Sequence, residues 1–79
     1  MKAKVYITLK KGVLDPQGKA VANALESMGY NEVKGLRIGK FIEIELDSAS
    51  KKDAEKRLKE MCEKLLANTV VEDYRVEIE

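Results

Sequence analysis

The chain reads as an α+β protein, one domain over residues 1–79 with the element order β-α-β-β-α-β. Three observations predict this. Four stretches alternate apolar and polar residues as strands do, two others repeat apolar residues at helical spacing, and no linker is long enough to divide the 79 residues.

Val5, Ile7 and Leu9 alternate with Tyr6, Thr8 and Lys10, the period-two pattern of a strand with one buried face. After a loop over residues 11–14, Asp15-Pro16 marks a helix start. The aspartate accepts from free backbone N–H groups, and proline, which lacks one, fits the first turn. Ala20, Val21, Ala24, Leu25 and Met28 form one apolar stripe that Gly29 ends, so the first helix is predicted over residues 16–28.

Val33, Leu36 and Ile38 predict a second strand whose parity changes across Gly35, where a bulge would keep both parts facing the core. Gly39-Lys40 then reads as a two-residue hairpin turn into a third strand carrying Ile42, Ile44 and Leu46. Beyond Asp47, the stretch Ser48-Ala49-Ser50 offers helix caps. Ala54, Leu58, Met61, Leu65 and Leu66 follow as a second stripe, for a helix ending near Ala67 or Asn68. Tyr74, Val76 and Ile78, set against Asp73, Arg75, Glu77 and Glu79, make the fourth strand. This order implies a ferredoxin-like antiparallel sheet with two helices on one face.

A domain of this size buries only about 60% of the surface its unfolded chain exposes, so self-association, as a homodimer or homotetramer, is expected. With 44% hydrophobic and 37% charged residues the composition is that of a soluble globular protein. Its 15 basic and 14 acidic side chains leave a net charge of +1, too small a field to gather nucleic acid or an anionic membrane. The single cysteine, Cys62, permits no intrachain disulfide and fits a reducing compartment. Neither a signal-peptide core nor a membrane span is present, so the cytoplasm is the expected location.

Histidine is absent, so no Ser-His-Asp or Cys-His nucleophile can be assembled within the chain. Cys62, beside Met61 and one turn after Leu58, reads as a small buried hydrophobe. Glu43 and Glu45 share a strand face on which alternating carboxylates are ordinary, and Gly12 and Gly18 lack the spacing of a phosphate-binding loop. No catalytic residue, cofactor site or metal site is therefore expected. Positive charge does gather at Lys10-Lys11-Gly12 and at Arg37-Ile38-Gly39-Lys40, while Tyr6 and Phe41 fall on the strand face away from the core. The candidate partner-contact residues are Tyr6, Lys10, Lys11, Gly12, Asp15, Gln17, Arg37, Gly39, Lys40 and Phe41.

The segment from Leu9 through Lys10-Lys11-Gly12-Val13-Leu14-Asp15-Pro16-Gln17 to Gly18 resembles the signature of the PurS family at its first strand-to-helix junction. Arg37-Ile38-Gly39-Lys40, the run from Met61 to Asn68, and Val71-Glu72-Asp73-Tyr74 are similar to that family in the same order, so the resemblance spans the chain. Thr69 departs from it, standing where family members often carry proline, which leaves φ in that connection less restricted. The resemblance implies a non-catalytic subunit of phosphoribosylformylglycinamidine synthase. Such a subunit joins a glutaminase to a synthetase that holds ATP and Mg, and supports ammonia transfer between them. Two other readings compete: a ferredoxin-like module sensing a small molecule, and an RNA-binding sheet, against which Glu43 and Glu45 beside the aromatics argue.

Overall fold

The computed structural model describes residues 1–47 and 50–79. Its sheet has three antiparallel strands in the order β2-β1-β3, with β1 (Lys2–Leu9) between β2 (Gly39–Glu45) and β3 (Glu72–Ile78). The register follows the sequence pattern. Val5 pairs with Ile42 on one side and Val76 on the other, making an apolar row on one face. Tyr6 lies between Phe41 and Arg75 on the opposite face.

The second helix, α2 (Lys51–Met61), begins where Ser50 Oγ accepts the Asp53 N–H at 3.1 Å. Ser48 and Ala49, the other cap candidates, lie outside the described residues. One π-helical turn, Cys62–Leu66, continues α2, and the Ala67 N–H reaches back five residues to the Cys62 carbonyl at 3.0 Å. The wider turn rotates the apolar stripe, so Cys62 and Ala67 face the sheet while Leu65, expected in the stripe, is left 82% exposed. Leu58, Cys62 and Ala67 close the core over Ala3, Val5 and Ile7, with Ile42, Ile44, Tyr74 and Val76 packed around them.

The first helix, α1 (Pro16–Ser27), starts at Asp15 and Pro16 as the sequence predicts. It contributes nothing to that core: among the described residues only Gly18 of α1 is buried. Residues 30–38 run back beside the helix, so that helix and return segment form an arm projecting from the sheet. The molecule measures 50 × 25 × 14 Å, and its radius of gyration of 15.9 Å exceeds the roughly 12 Å of a compact chain this long.

The α+β class and the antiparallel sheet are as expected, and three details of the topology are corrected. Residues 33–38 form no strand, because they run along α1 where no neighbouring strand offers a ladder. Gly39-Lys40 is not a hairpin turn: both residues belong to β2, opposite Thr8 and Ile7. A Cβ at Gly39 would fall 2.3 Å from the Ile7 carbonyl oxygen, so this glycine answers a close approach of two strands. Finally, among the described residues α2 and the π-helical turn that continues it cover the sheet face that two helices were expected to share.

Candidate functional site

The arm is fastened to the sheet by two side chains. Asp15 Oδ1 accepts the Gly18 N–H at 2.9 Å, capping α1, and Asp15 Oδ2 accepts the Ile38 N–H at 3.0 Å. Those bonds, from Ile38 first and Gly18 second, hold the Asp15 carboxyl below its usual range, aided by the Arg37 charge. Gly18 allows this geometry, since a Cβ there would meet Asp15 Oδ2 at 2.3 Å. Arg37 Nη2 donates to the Leu9 carbonyl and, at 3.1 Å, to the Lys10 carbonyl at the end of β1. The end of β1 and the start of α1 are thereby tied at one point to residues 37–38, more than 20 residues further along the chain.

Beside this clasp lies a cavity of about 320 Å³ with an apolar floor of Ile7, Leu9 and Ile38 and a polar rim that includes Asp15, Gln17 and Lys40. The Lys40 ammonium stands 3.5 Å from Glu72, which also lines the cavity. The sequence candidates Asp15, Gln17, Gly39 and Lys40 converge on it, and Arg37 sits at its edge through Leu9 and Lys10. Lys11 and Gly12 lie apart in the exposed loop before α1. Lys10 turns toward a neighbouring cleft lined by Glu63, Glu72, Asp73 and Tyr74.

Tyr6 and Phe41 form a separate surface on the far side of the sheet. Their ring centroids are 5.2 Å apart at 37°, and the Arg75 guanidinium lies 4.3 Å from the Tyr6 centroid. Phe41 is 53% exposed, leaving an aromatic-cationic patch open to a partner. Sequence reasoning placed the two aromatics on this face and missed Arg75 and Glu72. Their partners depend on the strand register, which alternation alone does not give.

The remaining chemistry-bearing residues have structural surroundings. Cys62 is fully buried and burial pushes its thiol up, reinforced by Glu63, the reverse of what a nucleophile needs. Glu43 stands opposite Lys4 and Glu45 opposite Lys2 across the β1–β2 ladder, as cross-strand charge pairs do. Among the described residues, no group of three or more His, Cys, Asp or Glu side chains is placed to hold a metal ion, and no helix is long and apolar enough to cross a membrane.

Residues 2–79 match the family model described as PurS, phosphoribosylformylglycinamidine (FGAM) synthase. The phosphoribosylformylglycinamidine synthase subunit PurS of Bacillus subtilis (strain 168) is 60% identical over 78 residues, covering 99% of this chain and 92% of that protein. A solved structure of B. subtilis PurS superposes with a TM-score of 0.88 over 99% of this chain and 96% of that one. A chain in the structure of PurLQS from Thermotoga maritima, 36% identical, superposes with a TM-score of 0.89 over 96% of this chain and 93% of its own length.

Proposed function

This chain belongs to the PurS family, and from that premise we propose that it is a subunit of phosphoribosylformylglycinamidine synthase that makes no bonds itself and aligns the subunits that do. The observation that carries this reading is the likeness, over nearly the whole chain, to a chain within PurLQS. In the proposed complex a glutaminase releases ammonia and a synthetase activates the amide oxygen of formylglycinamide ribonucleotide with ATP and Mg. Ammonia that escapes or is protonated on the way is lost, so holding two active sites in fixed relation raises the yield of transfer. All of this would take place in the cytoplasm, with residues 1–79 acting as one domain and as part of a homo-oligomer.

A chain without histidine, whose one thiol is buried, suits such a role. The two surfaces suit it as well. The junction cavity presents backbone and side-chain polar groups around an apolar floor, and the Tyr6–Phe41–Arg75 patch presents rings and a cation. We assign both surfaces to partner contact. The test is co-expression with tagged synthetase. The chain and the glutaminase should co-elute with the synthetase in one peak, and Phe41→Ala should reduce the share of chain retained. A chain that never co-elutes with either subunit, under glutamine and ATP, would overturn the reading.

A further inference from the structure

Phe41, Glu43 and Glu45 form a ridge along the edge strand β2, on the sheet face turned away from α2, and all three are exposed. Glu43 and Glu45 stand opposite Lys4 and Lys2 in register, yet those lysines serve the other side of β1. The Lys4 ammonium lies 2.9 Å from Glu79, and Lys4 first, then Lys2, hold the Glu79 carboxyl below its usual range. Arg75, stacked on Tyr6, is paired with Glu77 at 2.6 Å. Among the described residues, neither Glu43 nor Glu45 has an ion-pair partner. The face therefore offers two stacked rings followed along β2 by two uncompensated carboxylates.

We propose that an amphipathic helix of a partner subunit covers this face, its apolar residues on Tyr6 and Phe41 and its lysines or arginines on Glu43 and Glu45. The dimensions select a helix. Three strands about 4.8 Å apart make a surface roughly as wide as one helix of about 10–12 Å diameter. Phe41, Glu43 and Glu45 follow one another at about 6.6 Å, two residues of strand, and residues four apart on a helix follow at about 6 Å. An apolar residue with cations four and eight positions away thus meets all three in turn. The charge selects a different protein. A second copy laid on this face would bring the same uncompensated carboxylates against their own kind. Burial of an apolar side chain on the two rings, 5.2 Å apart, would carry most of the affinity, and the flanking charges would fix the register.

This proposal rests on the chain's place in the synthase complex and names the part of a partner it meets there. Phe41→p-benzoylphenylalanine is introduced into the full chain, the complex is reconstituted with glutaminase and synthetase, and the irradiated product is mapped by mass spectrometry. The expected cross-link joins Phe41 to a peptide of one of those subunits whose apolar residues recur at helical spacing and whose lysines and arginines outnumber its carboxylates. An assembled complex that cross-links to a second copy of this chain, to an acidic or non-helical peptide, or to nothing overturns this proposal alone. A chain that never co-elutes overturns the assembly reading and the proposal with it. In a second arm, Glu43→Gln with Glu45→Gln keeps side chains of the same shape on the strand. The concentration of chain that half-saturates the immobilised synthetase and glutaminase should rise about fivefold at low salt, and the gap from wild type should close as salt is raised. An unchanged concentration would count against the proposal as firmly as a missing cross-link.

Discussion

Asp15 Oδ2 accepts the backbone N–H of Ile38, 23 residues further along the chain, at 3.0 Å, while the other oxygen of the same carboxylate caps α1 through Gly18. One side chain therefore sets both where the arm leaves the sheet and where it returns.

Replacing Asp15 separates the two duties. Asparagine has one acceptor oxygen, enough for the cap or for Ile38, and alanine has none, so the midpoint of thermal unfolding should fall from wild type to Asp15→Asn to Asp15→Ala. The sign of the pH effect follows from the lowered carboxyl. Its contribution is present above the ordinary value of 3.8 and is lost as pH falls through the lower folded value. Wild type should lose stability over that acidic range more steeply than Asp15→Asn. Parallel pH profiles would show that the carboxylate is not what fastens the arm.

Two glycines a few residues apart should respond oppositely to alanine. At Gly39 the new methyl would sit 2.3 Å from the Ile7 carbonyl oxygen and must push β1 and β2 apart, a cost of about 1–3 kcal/mol. At Gly35 nothing lies within 4 Å and φ is not positive, so Gly35→Ala should be neutral or stabilise by up to ~1 kcal/mol through a less flexible unfolded chain. Urea denaturation of both variants decides the matter.

These contrasts show what the sequence made legible. Alternation located β1 and β3, the Asp15-Pro16 pair located the start of α1, and the Ala54–Leu58 stripe located α2, because each signal depends only on neighbours in the chain. Gly39-Lys40 looked like a turn because glycine serves turns and close strand contacts alike, and only the Ile7 carbonyl distinguishes them. Val33, Leu36 and Ile38 carry a strand pattern without a ladder partner, since pairing is a property of the neighbour. Arg37 read as surface charge, whereas its guanidinium is engaged with two carbonyls 28 and 27 residues away.

Cys62 should prove a packing residue. Cys62→Ala removes one buried sulfur and should cost about 1 kcal/mol, near the value of a buried methylene with a small cavity left behind. Glutamine-dependent turnover of the complex should be retained, and iodoacetamide should label the folded protein slowly. Loss of turnover with folding and assembly intact would give the thiol a chemical role.

The reading of this chain as an aligning subunit is tested most directly by comparing nitrogen sources in a complex reconstituted with its glutaminase and synthetase. Arg37→Ala with Lys40→Ala releases the clasp at β1 and the Lys40–Glu72 pair at the junction. Glutamine-dependent turnover should fall several-fold. Turnover driven by high external ammonia, which bypasses transfer from the glutaminase, should fall much less. An equal and severe loss with either nitrogen source, in a complex that remains assembled, would place the junction in the synthetase reaction itself and contradict the account.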